Sequence, residues 1–298
     1  MRSMLVAILV AALNIGGCAS SAPPVFDGES AFTFLREQCD IGPRYPGSPA
    51  HETVRRYLTD KLAASGADVS LQPFEAVTSE GDTLRLVNII AKYRTGDRKR
   101  VLLGAHYDTR PRADRDPVPA NRETPIVGAN DGASGDAVLL EIARLLGASN
   151  PPVGVDIVLF DGEDYGKEGN PQDYLLGSRR FAASLGDYRP IAVIVVDMVG
   201  ERDSRILLEG YSMAVSEALC RRIFGIADEL GVPNFVKAQG ATIIDDHFPF
   251  IQAGLPAIDL IDFDYAYWHT LGDTPDKCAG ASLSAVGSVL VHFIWSER

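Results

Sequence analysis

The sequence predicts a single three-layer α/β/α domain, with a central, mostly parallel mixed sheet and helices on both of its faces. Two apolar runs, VDIVLF at 155–160 and IAVIVV at 191–196, are typical of strands that are covered on both faces. Helical patterns alternate with such strands along the chain, as a parallel sheet requires. The 298 residues contain no internal repeat and no change of composition after residue 25, so one large domain is expected.

The spacing of apolar residues predicts the individual elements, because helices repeat every 3.6 residues and strands every two. Helices are expected at 30–39, 51–65, 132–146, 212–230 and 282–295. Strands are expected at 67–74, 84–93, 101–105, 155–160, 191–196, 206–208 and 255–261. The segment 110–122 is rich in charge and proline, and we expect it to be a solvated loop that follows the strand at 101–105, near the mouth of the site for which candidate residues are given below.

The composition limits the classes of function. Apolar residues make up 46% and charged residues 23%, which excludes a disordered chain and a coiled coil. Lys and Arg number 28 against 40 Asp and Glu, so the formal net charge is −12. A nucleic-acid partner is not expected, because this balance offers little to neutralise phosphates.

The N-terminus has the pattern of a targeting segment. Arg2 precedes an apolar run at 4–15, which is shorter than the about 20 residues that span a bilayer and fits a signal peptide. We expect a signal peptide at 1–17, a lipidated tether at 18–28 and the folded α/β domain at 29–298.

Gly16 and Gly17 lie directly before Cys18, which resembles the lipobox of bacterial lipoproteins. This resemblance implies lipidation of Cys18 and a place in the bacterial cell envelope, facing the periplasm or the exterior. The outer membrane is expected because Ala19, not aspartate, follows the cysteine, and the lipid would be the only membrane contact. An ordinary secreted protein is the alternative.

The remaining cysteines do not form a metal-binding pattern. Cys39, Cys220 and Cys278 are far apart in the sequence and none belongs to a CxxC pair. Because their number is odd, at most one disulfide can form and at least one thiol stays free.

Polar clusters follow the predicted strands at the point where each ends. His106 follows 101–105, Glu163 and Asp164 follow 155–160, and Asp197 follows 191–196. In an open α/β sheet the ligand crevice lies at the carboxyl ends of the strands, so these side chains could converge. The same crevice could receive His269, which follows the strand at 255–261.

Asp131 precedes the helix predicted at 132–146 and could join them. Two histidines with several carboxylates form a nitrogen and oxygen donor set that zinc accepts. Alternatives stay open for single residues: an Asp after a strand is often only a helix N-cap, which also applies to Asp245, and His106 could be a core histidine.

Five separated motifs occur in the second half of the chain: FDGED at 160–164, PQDYLLGSRRFA at 171–182, VVDMVG at 195–200, DDHFPF at 245–250 and WHT at 268–270. In this order they resemble the zinc aminopeptidase superfamily, and within it the animal-type glutaminyl-peptide cyclotransferases and their bacterial relatives. The resemblance covers about residues 30–298 and implies the same α/β fold.

The resemblance also implies the metal site. Asp131, Asp164 and His269 match the family's zinc ligands, so one zinc is expected. His106 matches a ligand of a second zinc in aminopeptidases, together with Asp131 and Asp197, so two zincs are possible. Asp164 departs from the family pattern, which has the longer glutamate at this position.

The roles of the remaining site residues are also implied by this resemblance. Glu163 matches the catalytic acid/base, and Asp197 and Asp245 match the pair that steers proton transfer. Aromatic side chains are expected to enclose the substrate: Trp268, with Tyr265 or Phe263.

The implied activity converts the N-terminal Gln of a peptide or protein into pyroglutamate and releases ammonia. The rival within the same fold is a di-zinc aminopeptidase that uses Glu163 as the base for an attacking water. A rival from another class is a non-enzymatic envelope receptor, against which the intact Glu163 and the intact set of ligand positions argue.

Overall fold

The computed structural model describes residues 22–297. The predicted signal peptide and Cys18 therefore lie outside the described residues. Seven helices and eight strands follow one another in the described part of the chain.

The central sheet has six strands in the order β1-β2-β4-β3-β5-β8. Strand β2 pairs antiparallel with both β1 and β4, whereas the β4–β3, β3–β5 and β5–β8 pairs are parallel. The bounds are β1 (Asp68–Val77), β2 (Thr83–Tyr93), β3 (Arg100–His106), β4 (Gly154–Phe160), β5 (Ala192–Asp197) and β8 (Ala257–Ile261). The predicted mixed, mostly parallel sheet is confirmed.

Helices cover both faces of the sheet, as predicted, but unequally. The larger core lies on the face covered by α1 (Gly28–Ile41), α2 (Pro49–Ala64), α3 (Ala133–Ala148), α5 (Gly210–Leu230) and α7 (Gly280–Ser296). The opposite face has only the short helices α4 (Leu176–Ala183) and α6 (Phe248–Gln252). There the rings of Phe160, Phe181 and Phe250 pack together against the sheet.

The sequence did not predict every element. Strand β6 (Ile206–Leu208) was expected, but its parallel partner β7 (Phe235–Gln239) was not, nor were α4 and α6. These three elements have five to eight residues, which is too few for a periodic pattern to stand out.

Within residues 22–297, no helix combines the length and apolarity needed to cross a membrane.

The thiols of Cys39, Cys220 and Cys278 are buried and free.

Helix α3 approaches the sheet closely through Gly135. A Cβ atom at this position would lie 2.2 Å from the Val196 carbonyl oxygen on β5 and 3.0 Å from the Ala105 Cβ on β3. Because backbone cannot yield as a flexible side chain can, only glycine fits here. The contact fixes the start of α3 next to the last residues of β3 and β5.

We predict that Gly135→Ala pushes α3 from the sheet and lowers the free energy of unfolding by about 1–3 kcal/mol, as overpacking does. Urea unfolding measures the change. Gly225→Ala in α5 is the matched control, because a Cβ there meets nothing within 4 Å. The control should keep or gain stability, by up to about 1 kcal/mol. Equal stabilities of the two variants would contradict the close contact.

Candidate active site

The carboxyl ends of the parallel strands bring the sequence-predicted residues together. His106 and Asp197 are the last residues of β3 and β5, and Glu163 and Asp164 lie in the turn after β4. Asp131 lies just before α3, and His269 is in the loop after β8. Two groups of three can each offer ligand atoms within 4.8 Å of one another.

The first group is Asp131, Asp164 and His269, all buried. His269 Nε2 lies 3.4 Å from Asp164 Oδ1 and 3.6 Å from Asp131 Oδ2. The Oδ2 atoms of Asp131 and Asp164 are buried and have no hydrogen-bond partner within residues 22–297. Buried carboxylate oxygens need a partner, so this donor set fits a cation such as zinc.

The second group is His106, Asp131 and Asp197. His106 Nε2 lies 3.2 Å from Asp131 Oδ1 and 3.2 Å from Asp197 Oδ1. The contact with Asp197 is a hydrogen bond, whereas His106 Nδ1 is buried without a hydrogen-bond partner within residues 22–297. His106 is therefore not an isolated core histidine.

Two buried carboxylates hold the turns that present the acidic ligands. Asp108 accepts hydrogen bonds from the backbone amides of Glu163 and Asp164, at 3.0 and 3.2 Å. Asp273 accepts in the same way from the amides of Asn130 and Asp131, at 2.8 and 3.1 Å. Asp273 was not predicted from the sequence, although it lies three residues after the WHT motif.

Segment 110–122 is not wholly solvated, contrary to the expectation from its composition. Its second half is exposed, but Arg110 and Asp116 are buried. The backbone amide of Arg115 donates to the carbonyl of His269 at 3.1 Å, and Asp116 accepts from the amide of Leu271 at 3.1 Å. Burial is tolerated because Arg110 is paired with Asp114 and Asp164, while the carboxylate of Asp116 accepts hydrogen bonds, and composition does not show such partners.

One cavity of about 590 Å³ lies above the strand ends, within the usual range for small-ligand sites. The predicted residues that line it are Asp131, Glu163, Asp164, Asp197, Asp245, Phe263, Trp268 and His269. His106 lies beneath this surface. Several residues that line the cavity were not predicted as site residues from the sequence, among them Arg110, Asp114 and Tyr174.

The assignment of Tyr265 to the pocket wall is wrong. Its ring is buried beneath the cavity, beside Met198 and Ile261, and its hydroxyl donates to Asp273 at 2.8 Å. Phe263 is the aromatic partner of Trp268, with ring centroids 5.1 Å apart. Tyr265 instead supports the carboxylate that holds the turn of Asp131.

The neighbouring carboxyl groups of Glu163 and Asp164 differ in proton affinity. Burial raises the pKa of Glu163 well above its usual range. The nearby carboxylates of Asp164 and Asp245 raise this pKa further, whereas His106 lowers it. Burial acts in the same direction on Asp164, but Arg110 and His269 lower its pKa to about 2. Because the two pKa values are shifted in opposite directions, Glu163 can exchange a proton while Asp164 stays ionised.

Asp245 is not a helix cap, which was the alternative left open. Its side chain accepts a hydrogen bond from the next backbone amide, that of Asp246, and faces the cavity. Burial raises the pKa of both Asp197 and Asp245.

Backbone strain is concentrated around the cavity. Among the described residues, four non-glycine residues have positive φ, and three of them line the cavity: Leu175 (58°), Met198 (46°) and His269 (55°). This conformation costs energy for side chains with a Cβ, and such residues cluster at functional sites.

The chain belongs to peptidase family M28, whose family model matches residues 88–294. The resemblance to the zinc aminopeptidase superfamily is thereby confirmed.

Individual relatives fall into two functional groups. A solved glutaminyl cyclase from Bacteroides thetaiotaomicron, bound to N-acetylhistamine, is 37% identical over 93% of this chain and 100% of that chain, with a TM-score of 0.89. A solved Zn-dependent exopeptidase from Parabacteroides distasonis is 34% identical over 93% and 100%, with a TM-score of 0.90. The glutaminyl-peptide cyclotransferase-like protein of Mus musculus is 29% identical over 88% of this chain and 73% of that protein.

Proposed function

We propose that this protein is a zinc-dependent glutaminyl-peptide cyclotransferase that acts on N-terminal Gln of peptides or proteins. The observation that carries the proposal is the cavity in which Glu163, able to hold a proton, lies beside the cation-binding group of Asp131, Asp164 and His269. The 37% identity to a glutaminyl cyclase along its whole chain supports the choice of reaction.

One zinc ion per chain is part of the proposal, held by Asp131, Asp164 and His269. All three side chains line the cavity, so an ion among them would be within reach of a substrate. The Oδ2 atoms of Asp131 and Asp164, which have no hydrogen-bond partner within residues 22–297, belong to this group, whereas His106 Nε2 is hydrogen-bonded to Asp197. When bound, zinc would supply Lewis-acid polarisation of the Gln side-chain carbonyl.

Glu163 transfers the proton in this mechanism. It accepts a proton from the substrate α-amine as the nitrogen forms a bond to the side-chain carbonyl carbon. It then returns the proton to the departing amide nitrogen, whose bond to the same carbon breaks, so that ammonia leaves. A raised pKa brings a carboxyl group closer to the working pH, where acid–base catalysis is most efficient.

The other cavity residues position the reacting groups. Asp197 and Asp245 provide the carboxylates around the proton path, and the rings of Trp268 and Phe263 enclose the small lactam. No external nucleophile is needed, because amine and amide belong to the same residue and the cavity holds them close.

A di-zinc aminopeptidase is the second candidate. It is favoured by the group of His106, Asp131 and Asp197, which could hold another ion, and by the similarity to an exopeptidase. In that reaction Glu163 would activate a water molecule.

We also propose export and lipid anchoring in a bacterial envelope through Cys18. The support is the sequence alone, with its apolar run at 4–15 and Gly16-Gly17 before the cysteine. Membrane fractionation of the wild type and Cys18→Ser tests this proposal, and a wild-type protein without lipid would contradict it.

The experiment that tests the function compares Gln-peptides with aminoacyl-amide substrates and counts zinc in the same samples. We expect cyclisation and about one zinc per chain, the number a cyclase needs. His269→Ala should lose the zinc, whereas His106→Ala should keep it and part of the activity. Two tightly bound zincs with release of residues other than Gln would establish the aminopeptidase instead.

We predict that Glu163→Gln keeps its zinc and loses about 10²–10⁴-fold in turnover, because the amide cannot transfer the proton. Steady-state cyclisation and metal analysis provide the two readouts. Glu217→Gln on the exposed side of α5 is the control and should match the wild type. Near wild-type turnover of Glu163→Gln would remove this residue from the mechanism.

A further inference from the structure

Arg110 is a buried arginine in direct contact with one proposed metal ligand. Its guanidinium is 1% exposed, and Nη1 donates to Asp164 Oδ1 at 2.6 Å. A hydrogen bond between two charged groups at this distance is among the strongest in proteins. Oδ1, the oxygen that Arg110 contacts, also lies 3.4 Å from His269 Nε2, whereas Oδ2 has no hydrogen-bond partner within residues 22–297.

The same guanidinium is held in place from its other side. Nε and Nη2 donate to the two oxygens of Asp114, at 2.8 and 2.6 Å, and Nη2 also contacts the Tyr174 hydroxyl at 3.1 Å. Asp114 Oδ1 in turn lies 3.5 Å from His269 Nδ1. Arg110 and Asp114 therefore connect two of the proposed ligands, Asp164 and His269, from outside the metal site.

We propose that Arg110 is a positioning residue that limits Asp164 to metal binding through one oxygen. This inference rests on the proposed zinc-dependent function. A carboxylate that binds a metal through both oxygens fills two coordination positions. Because Arg110 engages one oxygen of Asp164, a metal held by three protein ligands keeps a position for the substrate carbonyl, which catalytic zinc sites require.

The fixed shape of the guanidinium suits this role. It offers one edge to Asp114 and a separate donor to Asp164, so the orientation of Asp164 is set by a planar group that is itself anchored. Lysine has a single ammonium group on a flexible chain and cannot reproduce both contacts. The short side chain of Asp164 leaves it little freedom to turn away from Arg110.

Cobalt substitution tests this inference without relying on activity, because the visible absorption of Co²⁺ weakens as its coordination number rises. We expect Arg110→Met to keep one cobalt per chain but to absorb more weakly than the wild type, as the freed oxygen joins the metal. Its turnover should fall about 10- to 100-fold, the usual effect of losing a residue that orients a metal ligand. Arg110→Lys should restore part of the absorption.

Arg112→Met is the matched control. Arg112 lies on the same segment and donates to the carbonyls of Tyr165 and Gly166, but it contacts no proposed ligand. Its cobalt spectrum should match the wild type. Should Arg110→Met fail to fold, as judged by circular dichroism, Arg110→Gln replaces it with the same expectation.

Two results would overturn the inference: an Arg110 variant with a wild-type cobalt spectrum, or one that no longer retains cobalt. A wild type that binds cobalt but does not cyclise Gln-peptides would overturn the proposed function alone. The spectra of the variants would then still decide the role of Arg110.

Discussion

Mutual repulsion among buried carboxylates is the constraint that shapes this molecule. Five carboxyl groups meet around one cavity, of which Glu163 is half-buried and four are buried: Asp131, Asp164, Asp197 and Asp245. Burying uncompensated ions costs several kcal/mol each. The fold compensates with the cationic side chain of Arg110 and with hydrogen-bonded His106, and burial raises the pKa of Glu163. A cation would still be favourable beside Asp131 and Asp164, whose Oδ2 atoms have no partner in the described part of the chain.

The sequence predicted well those features that depend on long or repeated patterns. The apolar runs of β4 and β5 predicted a sheet covered on both sides, and the rule that parallel strands end at one edge placed His106, Asp197 and Glu163 together. Elements of five to eight residues, such as α6 and β7, could not be predicted, because a pattern of apolar residues as short as this occurs by chance in many segments.

The errors at the site have a common physical origin. Charged residues are usually exposed, so the composition of 110–122 indicated a solvated loop, although Arg110 and Asp116 are buried by specific pairing. Tyr265 lies three residues before Trp268, yet its ring turns under the cavity because Asp273 accepts its hydroxyl hydrogen. Some of these pairings join residues that are distant in sequence, and others depend on the direction of a single side chain. A local sequence pattern predicts neither.

The backbone conformation of His269 makes its position depend on a distant part of the chain. Its left-handed φ of 55° is accompanied by a hydrogen bond from the Arg115 amide to its carbonyl. The same segment carries Arg110 and Asp114, which contact Asp164 and the imidazole of His269. An insertion or deletion between residues 110 and 116 would therefore displace the histidine and the carboxylate together, although neither belongs to that segment.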